Sequence, residues 1–126
     1  MLAPKLLQLA DGVMRKPEGI MVDRWPRAVA ALGRQAIEDA MKEFWLQTEP
    51  SVADASMRAQ LLSLPVYFAD EEMAELVSST WAALSRACHY HPYELPPTQE
   101  ELDGLLSVAR RLVAAVQQEG RFAKWA

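Results

Sequence analysis

Both histidines of this 126-residue chain fall within residues 86–91, a window that opens with Arg86. The arginine is a permanent cation that can hold a phosphate group through two parallel hydrogen bonds. An imidazole, from His89 or His91, titrates near neutral pH and can therefore move a proton during a reaction. These side chains together suit the cleavage of a phosphodiester bond without a metal ion.

The same window allows two other interpretations. Arg86 can pair with an acidic neighbour while the histidines cap a helix end, where the helix dipole favours cations. A metal site would instead use Cys88, His89, His91 and Glu94, which are all ligand types. Because Cys88 and His89 are adjacent and point in different directions on a helix, we predict no metal and no cofactor.

Hydrophobic periodicity positions this window at the end of a helix. Apolar residues three and four apart predict a helix over residues 70–90, and it ends there because a proline follows two residues later. Arg86 then lies in the last turn. His89 and Tyr90 follow on the same face, three and four residues later, and His91 lies just past the end.

The most distinct helical pattern comes next in the chain. It runs from Thr98 to Glu119, and Thr98 forms a capping box with Glu101. Upstream, Trp25–Trp45 has the same apolar spacing, with Pro26 in the first turn, where no backbone donor is needed.

Two shorter helices complete the set. One covers about residues 53–64 and ends at Pro65, and the other covers residues 5–14. No segment alternates with the two-residue period of a strand. We therefore predict an all-α fold, an up-and-down four-helix bundle with an additional short N-terminal helix.

Length and composition fit one globular domain. The chain is 51% hydrophobic and 24% charged, which is ordinary for a folded domain of this size. We predict a single domain over residues 1–126, with the N-terminal helix at 3–16, the core at about 24–119 and a C-terminal tail at 120–126.

The overall charge limits how the chain could bind nucleic acid. The formal net charge is −4, which opposes long-range capture of a polyanion, so any RNA-binding role depends on a local surface or on oligomerisation. Between residues 69 and 103, Arg86 is the only basic residue among several acids. Compensating positive charge is available at two places in the chain: Arg24, Arg27 and Arg34 on the first core helix, and Arg110, Arg111, Arg121 and Lys124 near the end.

The cysteine count and the lengths of the apolar runs indicate the cellular compartment of the protein. A single cysteine excludes an intramolecular disulfide. Neither a run of about 20 apolar residues nor a secretory signal pattern is present. We expect a cytoplasmic protein that makes no contact with a membrane.

Two stretches of the chain resemble the HEPN-domain family. The sequence WPRAVAALGRQAIE, at residues 25–38, resembles the first core helix of these domains. The sequence LSRACHYHPYEL, at residues 84–95, resembles their Arg-x4-6-His motif near the end of a later helix. The resemblance spans roughly residues 24–116. It implies a compact helical bundle that forms a homodimer, and active members are metal-independent endoribonucleases with a site shared between two chains.

The resemblance also implies roles for individual residues. Arg86 would stabilise the charge on the phosphate, and His91 would transfer a proton while the 2′-hydroxyl of the RNA attacks. His89, Tyr90 and Tyr93 would contact the substrate or support the site. The partners implied are a second copy of the chain, RNA, or a protein partner of the toxin–antitoxin kind.

Two hypotheses about function follow. The first is a HEPN-like metal-independent endoribonuclease or RNA-binding protein that uses Arg86 and His91 in a dimeric composite site. The alternative is a non-catalytic helical module for dimerisation or protein interaction. The position of the motif favours the first. The acidic charge, and Ala87 where the family usually has a polar residue, favour the second.

Overall fold

The structure is a computed structural model that describes residues 1–19, 21–89 and 93–118. These residues form helices joined by turns and loops, without a β-strand, which confirms the predicted all-α class. Within the same ranges, none of the helices is both long and apolar enough to cross a membrane. The α-helices are α1 (Ala3–Arg15), α2 (Met21–Thr48), α3 (Met57–Tyr67), α4 (Glu71–Ala87) and α5 (Gln99–Gln117), and a 3-10 turn covers Pro50–Val52.

The long helix α2 packs against α1, α4 and α5. It runs antiparallel to α4, because Arg27 contacts Cys88 near one end of the pair and Arg34 lies over Trp81 further along. It also runs antiparallel to α1, whose first residues donate hydrogen bonds to Asp39. The N-terminal half of α2 therefore lies beside the C-terminal end of α4.

The core follows the apolar stripe predicted for Trp25–Trp45. Trp45 is fully buried and lies in an aromatic cluster with Phe44, Tyr67 and Phe68. Its ring centroid is 5.2 Å from that of Tyr67. This cluster holds α3 against the C-terminal end of α2, away from the Arg86 window.

The two predicted helix caps are confirmed. The Asp70 carboxylate accepts a hydrogen bond from the backbone N–H of Met73 at 3.0 Å, and α4 begins immediately after it. The Thr98 hydroxyl accepts from the N–H of Glu101 at 3.1 Å at the start of α5. The same Thr98 hydroxyl donates to the Glu101 carboxylate at 3.2 Å, so the second contact of the predicted capping box is between the two side chains.

Two prolines lie deeper in their helices than predicted. α2 begins at Met21, so Pro26 is inside the helix rather than in its first turn. The prediction that Pro65 ends α3 is also wrong, because the N–H of Phe68 still donates to the carbonyl of Leu64 at 2.8 Å. A proline removes only its own backbone N–H donor, and its fixed φ angle is compatible with a helix. The two helices therefore continue through Pro26 and Pro65.

The remaining boundaries are close to those expected. The N-terminal helix Ala3–Arg15 begins two residues before the helix predicted over 5–14 and ends one residue after it, inside the range of 3–16 assigned to this part of the domain. The helix predicted over 53–64 instead begins at Met57, after an N-cap from Ser56. The predicted end of the core at 119 and the tail at 120–126 lie outside the described residues.

Candidate functional site

The C-terminal end of α4 positions Arg86. The helix ends at Ala87, where the Cys88 N–H bonds to the carbonyl of Leu84 at 3.0 Å. The N–H of His89 then bonds to the carbonyl of Arg86 at 3.3 Å, a three-residue spacing that tightens the final turn. Arg86 therefore lies in the last turn, as predicted, while His89 follows the helix instead of lying on its face.

Of the other predicted site residues, some lie within the described part of the chain and some lie outside it. Tyr93 has a completely exposed side chain in the loop before α5. Tyr90 and His91 lie outside the described residues. Of the predicted site residues, the structure thus describes Arg86, His89 and Tyr93.

A cleft of about 520 Å³ lies where the N-terminal part of α2, the end of α4 and the loop before α5 meet. Arg86 and His89 line it, whereas Tyr93 does not belong to its lining. The wall on the α5 side includes Leu95 and the two prolines that follow it. Arg86 is well exposed at this cleft, with 71% of its side chain accessible to solvent.

Two arginines of α2 face the same cleft. Arg24 and Arg27, one helical turn apart, line it together with Arg86 and His89. Arg34 does not, because its guanidinium lies 5.2 Å from the centre of the Trp81 ring and pairs with Glu38. Of these three arginines of α2, Arg24 and Arg27 therefore lie beside the end of α4, whereas Arg34 lies outside the cleft.

Three carboxylates balance these arginines. Asp23, Glu94 and Glu101 also line the cleft, so the formal charges of its arginines and acids cancel. Most acids of the 69–103 segment lie elsewhere on the surface. The strong negative charge read from that segment is therefore not concentrated at the cleft.

Hydrogen bonds hold two of the arginines. The Nε of Arg27 donates to the carbonyl of Cys88 at 3.2 Å and ties the end of α4 to α2. The Nη2 of Arg86 lies 3.0 Å from Oε1 of Glu94. Arg86 thus pairs with an acidic neighbour, as one interpretation of the window expects, whereas the helix cap made by the histidines stays a prediction. A cation at the C-terminal end of α4 is also favoured by the helix dipole.

Cys88 has an unreactive environment. Its side chain is half-buried, and this burial raises the pKa of the thiol, an effect that the nearby Arg34 guanidinium opposes. Metals bind the thiolate rather than the thiol, so the raised pKa disfavours the form of Cys88 that a metal would bind. Across the described ranges, no three His, Cys, Asp or Glu side chains are grouped in a way that could hold a metal ion.

Three residues that line the cleft, Arg24, Arg27 and Glu94, are not among the site residues predicted from the sequence. Arg24 and Arg27 were recognised as a source of positive charge, and their three-residue spacing on α2 was the signal that they share a face. Glu94 was considered only as a metal ligand. Its contact with Arg86 had no periodic signal, because the chain leaves the helix between the two residues.

Comparisons of the chain with protein-family models, with curated proteins and with solved structures find no match. Its function must therefore be argued from its own residues.

Proposed function

We propose that this chain is a HEPN-like helical domain that binds RNA at the cleft beside the end of α4 and, as a homodimer, cleaves it without a metal ion. The observation that carries the proposal is the meeting of Arg24, Arg27 and Arg86 at one cleft together with His89. A local group of guanidinium groups is what an acidic protein needs in order to bind a phosphate backbone.

Arg86 has the central role in this proposal. Its guanidinium binds two non-bridging oxygens of one phosphate and stabilises the charge that develops there during the reaction. Arg24 and Arg27 contact neighbouring phosphates and set the register of the strand. His89 lies close enough to the same cleft to contact the substrate.

The proposed reaction is an internal transfer at phosphorus. The 2′-hydroxyl of the RNA forms the new bond to phosphorus as its proton passes to His91 acting as a base. The bond to the 5′-oxygen breaks, and that oxygen takes a proton from the same residue of the second chain. The products are a 2′,3′-cyclic phosphate and a 5′-hydroxyl, so neither water nor a metal ion takes part in this step.

The test is cleavage of a mixed RNA pool by purified protein in excess EDTA. We expect fragments with 2′,3′-cyclic phosphate ends, lost in both His91→Ala and Arg86→Ala and retained in Arg58→Ala, which removes an exposed arginine of α3 that does not line the cleft. A wild-type protein that leaves every RNA intact would contradict the catalytic part of the proposal, as would cleavage by His91→Ala at the wild-type rate.

A non-catalytic dimerisation or protein-interaction module is the second candidate. The observation that favours it is the pair of exposed apolar side chains Tyr93 and Leu95, with 101% and 94% of their surfaces accessible. They flank Glu94, which already pairs with Arg86. This function predicts that Tyr93→Ser weakens self-association or partner binding while no RNA is bound or cut, and analytical ultracentrifugation measures the first effect.

A further inference from the structure

The ion pair between Arg86 and Glu94 lies inside the cleft that the proposed function assigns to RNA. The Nη2 of Arg86 and the Oε1 of Glu94 are 3.0 Å apart, and both residues line the cleft. A carboxylate and a phosphate bind a guanidinium through the same two-pronged geometry. The two anions therefore compete for one side chain.

The atom involved makes this competition direct. A guanidinium has two edges that can donate a parallel pair of hydrogen bonds, one formed by Nε and Nη2 and the other by Nη1 and Nη2. Nη2 belongs to both edges. A phosphate that binds Arg86 on either edge is thus brought next to the Glu94 carboxylate, and the two negative charges repel each other.

We propose that Glu94 is a built-in competitor that restrains anion binding at Arg86, and that RNA binds by displacing it. This inference rests on the proposed function, since RNA is the anion that displaces the carboxylate. Glu94 lowers the affinity for phosphate in general. Glu94 thereby favours a ligand that also contacts Arg24 and Arg27. A single small anion gains too little binding free energy from Arg86 alone to displace the Glu94 carboxylate.

The local structure allows the displacement. Arg86 is fixed in the last turn of α4, whereas Glu94 belongs to the loop before α5, where residues 93–96 are all exposed. The carboxylate can leave the guanidinium without uncovering any of the buried core. The pair is itself exposed, with 71% and 48% of the two side chains accessible, and exposed pairs are weak enough for a multivalent anion to separate.

The experiment compares the affinity of a short fluorescein-labelled single-stranded RNA for the wild type, Glu94→Gln, Arg86→Ala and the double variant, by fluorescence anisotropy. Glutamine keeps the shape of the side chain and removes the charge. We expect Glu94→Gln to bind about two- to fivefold more tightly than the wild type. Glu100→Gln is the matched control, because it makes the same charge change at an exposed residue that does not line the cleft, and it stays within about twofold of the wild type.

The double variant shows whether Glu94 acts through Arg86. We expect the gain from Glu94→Gln to disappear when Arg86 is alanine, since the guanidinium for which Glu94 and RNA compete is then absent. An equal gain in both backgrounds would overturn the inference, because Glu94 would act only through its general charge. Thermal unfolding of each variant checks that the fold is retained.

The two proposals fail in different ways. If the wild type binds RNA through Arg86 but Glu94→Gln binds no more tightly, the role of Glu94 is overturned and the proposed function stands. If neither the wild type nor Glu94→Gln binds RNA, the proposed function fails and the inference fails with it.

Discussion

Cys88 lies in the most chemically loaded window of the sequence, and its own surroundings disfavour the reactive form of its thiol. Its side chain packs against the core from the end of α4, and burial raises the pKa of its thiol. Arg34 and Arg27 oppose that effect without reversing it. Because the thiolate is the reactive form, Cys88 behaves as a small apolar side chain that helps to seal the helix end.

This environment predicts a specific pH dependence of stability. A thiol whose pKa is raised by folding stays protonated in the native protein while the same thiol in the unfolded chain begins to ionise. Its contribution to the free energy of unfolding is fully present below the unfolded-state pKa and is lost as the pH rises through the folded-state pKa. We expect urea unfolding to show this alkaline loss in the wild type and less of it in Cys88→Ala.

Alkylation provides an independent check on Cys88. We expect iodoacetamide to modify the native protein about tenfold more slowly than the urea-unfolded chain near pH 8. Equal rates in the two states would show that the thiol is accessible and ionised like a free cysteine, which would contradict its assignment as a sealed, structural residue.

At the scale of the element, α1 is held in place by a side chain from another helix. Its N-cap position, Leu2, provides no side-chain cap. The Asp39 carboxylate of α2 accepts hydrogen bonds from the N–H groups of both Leu2 and Ala3, each at 2.8 Å. One carboxylate thus caps α1 and fixes it to α2.

We expect Asp39→Ala to lower the free energy of unfolding by about 1 to 2 kcal/mol, as the loss of a helix cap does. Hydrogen exchange should rise most in the first turn of α1. Asp11→Ala is the control, because Asp11 forms only an exposed pair with Arg15 and its removal should cost less than about 0.5 kcal/mol. Equal losses in the two variants would contradict the capping role of Asp39.

Gly33 lies where α2 packs closely against two other helices. A Cβ atom built there would lie 2.8 Å from Cδ2 of Leu106 on α5 and 3.4 Å from Cδ1 of Leu84 on α4. Both leucines are fully buried, so neither can move aside without disturbing the core. Gly104, inside α5, has open space around the same position.

The two glycines therefore respond differently to alanine. Gly104→Ala should raise the free energy of unfolding by about 0.5 to 1 kcal/mol, because alanine favours the helix. Gly33→Ala gains the same propensity but overpacks the core, so we expect it to be less stable than Gly104→Ala by about 1 to 3 kcal/mol. Chemical denaturation measures both, and equal stabilisation would contradict the close packing at Gly33.

Local chemistry explains which element boundaries could be predicted. Asp70 and Thr98 start their helices because their side chains bond to backbone groups three residues away, and such contacts can be read from the sequence. Pro26 and Pro65 misled the prediction because packing against the core outweighs one lost hydrogen bond. The caps were therefore more reliable guides than the prolines.

At the scale of the whole molecule, the cleft is a local exception to an acidic protein. The sequence identified Arg86 from its neighbours, but the meeting of Arg24 and Arg27 with it depends on the antiparallel packing of α2 and α4. Glu94 enters the cleft through a loop, where no periodicity guides prediction. Tertiary contacts, rather than residue types, thus complete the candidate site.

This charge distribution predicts how RNA binding depends on salt. Three arginines that each neutralise one phosphate of a single strand give a slope of about −2 for the logarithm of the binding constant against that of the salt concentration. Arg86→Ala should reduce the slope by about 0.7. A titration at several salt concentrations measures both values, and a slope near zero would exclude phosphate contacts as the source of binding.

The most direct test of the central claim is the affinity of a short labelled single-stranded RNA for the wild type, Arg86→Ala and Arg58→Ala at low salt. Arg58 is an exposed arginine on α3 that does not line the cleft, so it controls for the loss of one positive charge. We expect Arg86→Ala to weaken binding about five- to tenfold and Arg58→Ala to change it by less than about twofold. Equal affinities for all three proteins, or no binding by the wild type, would contradict an RNA site at the end of α4.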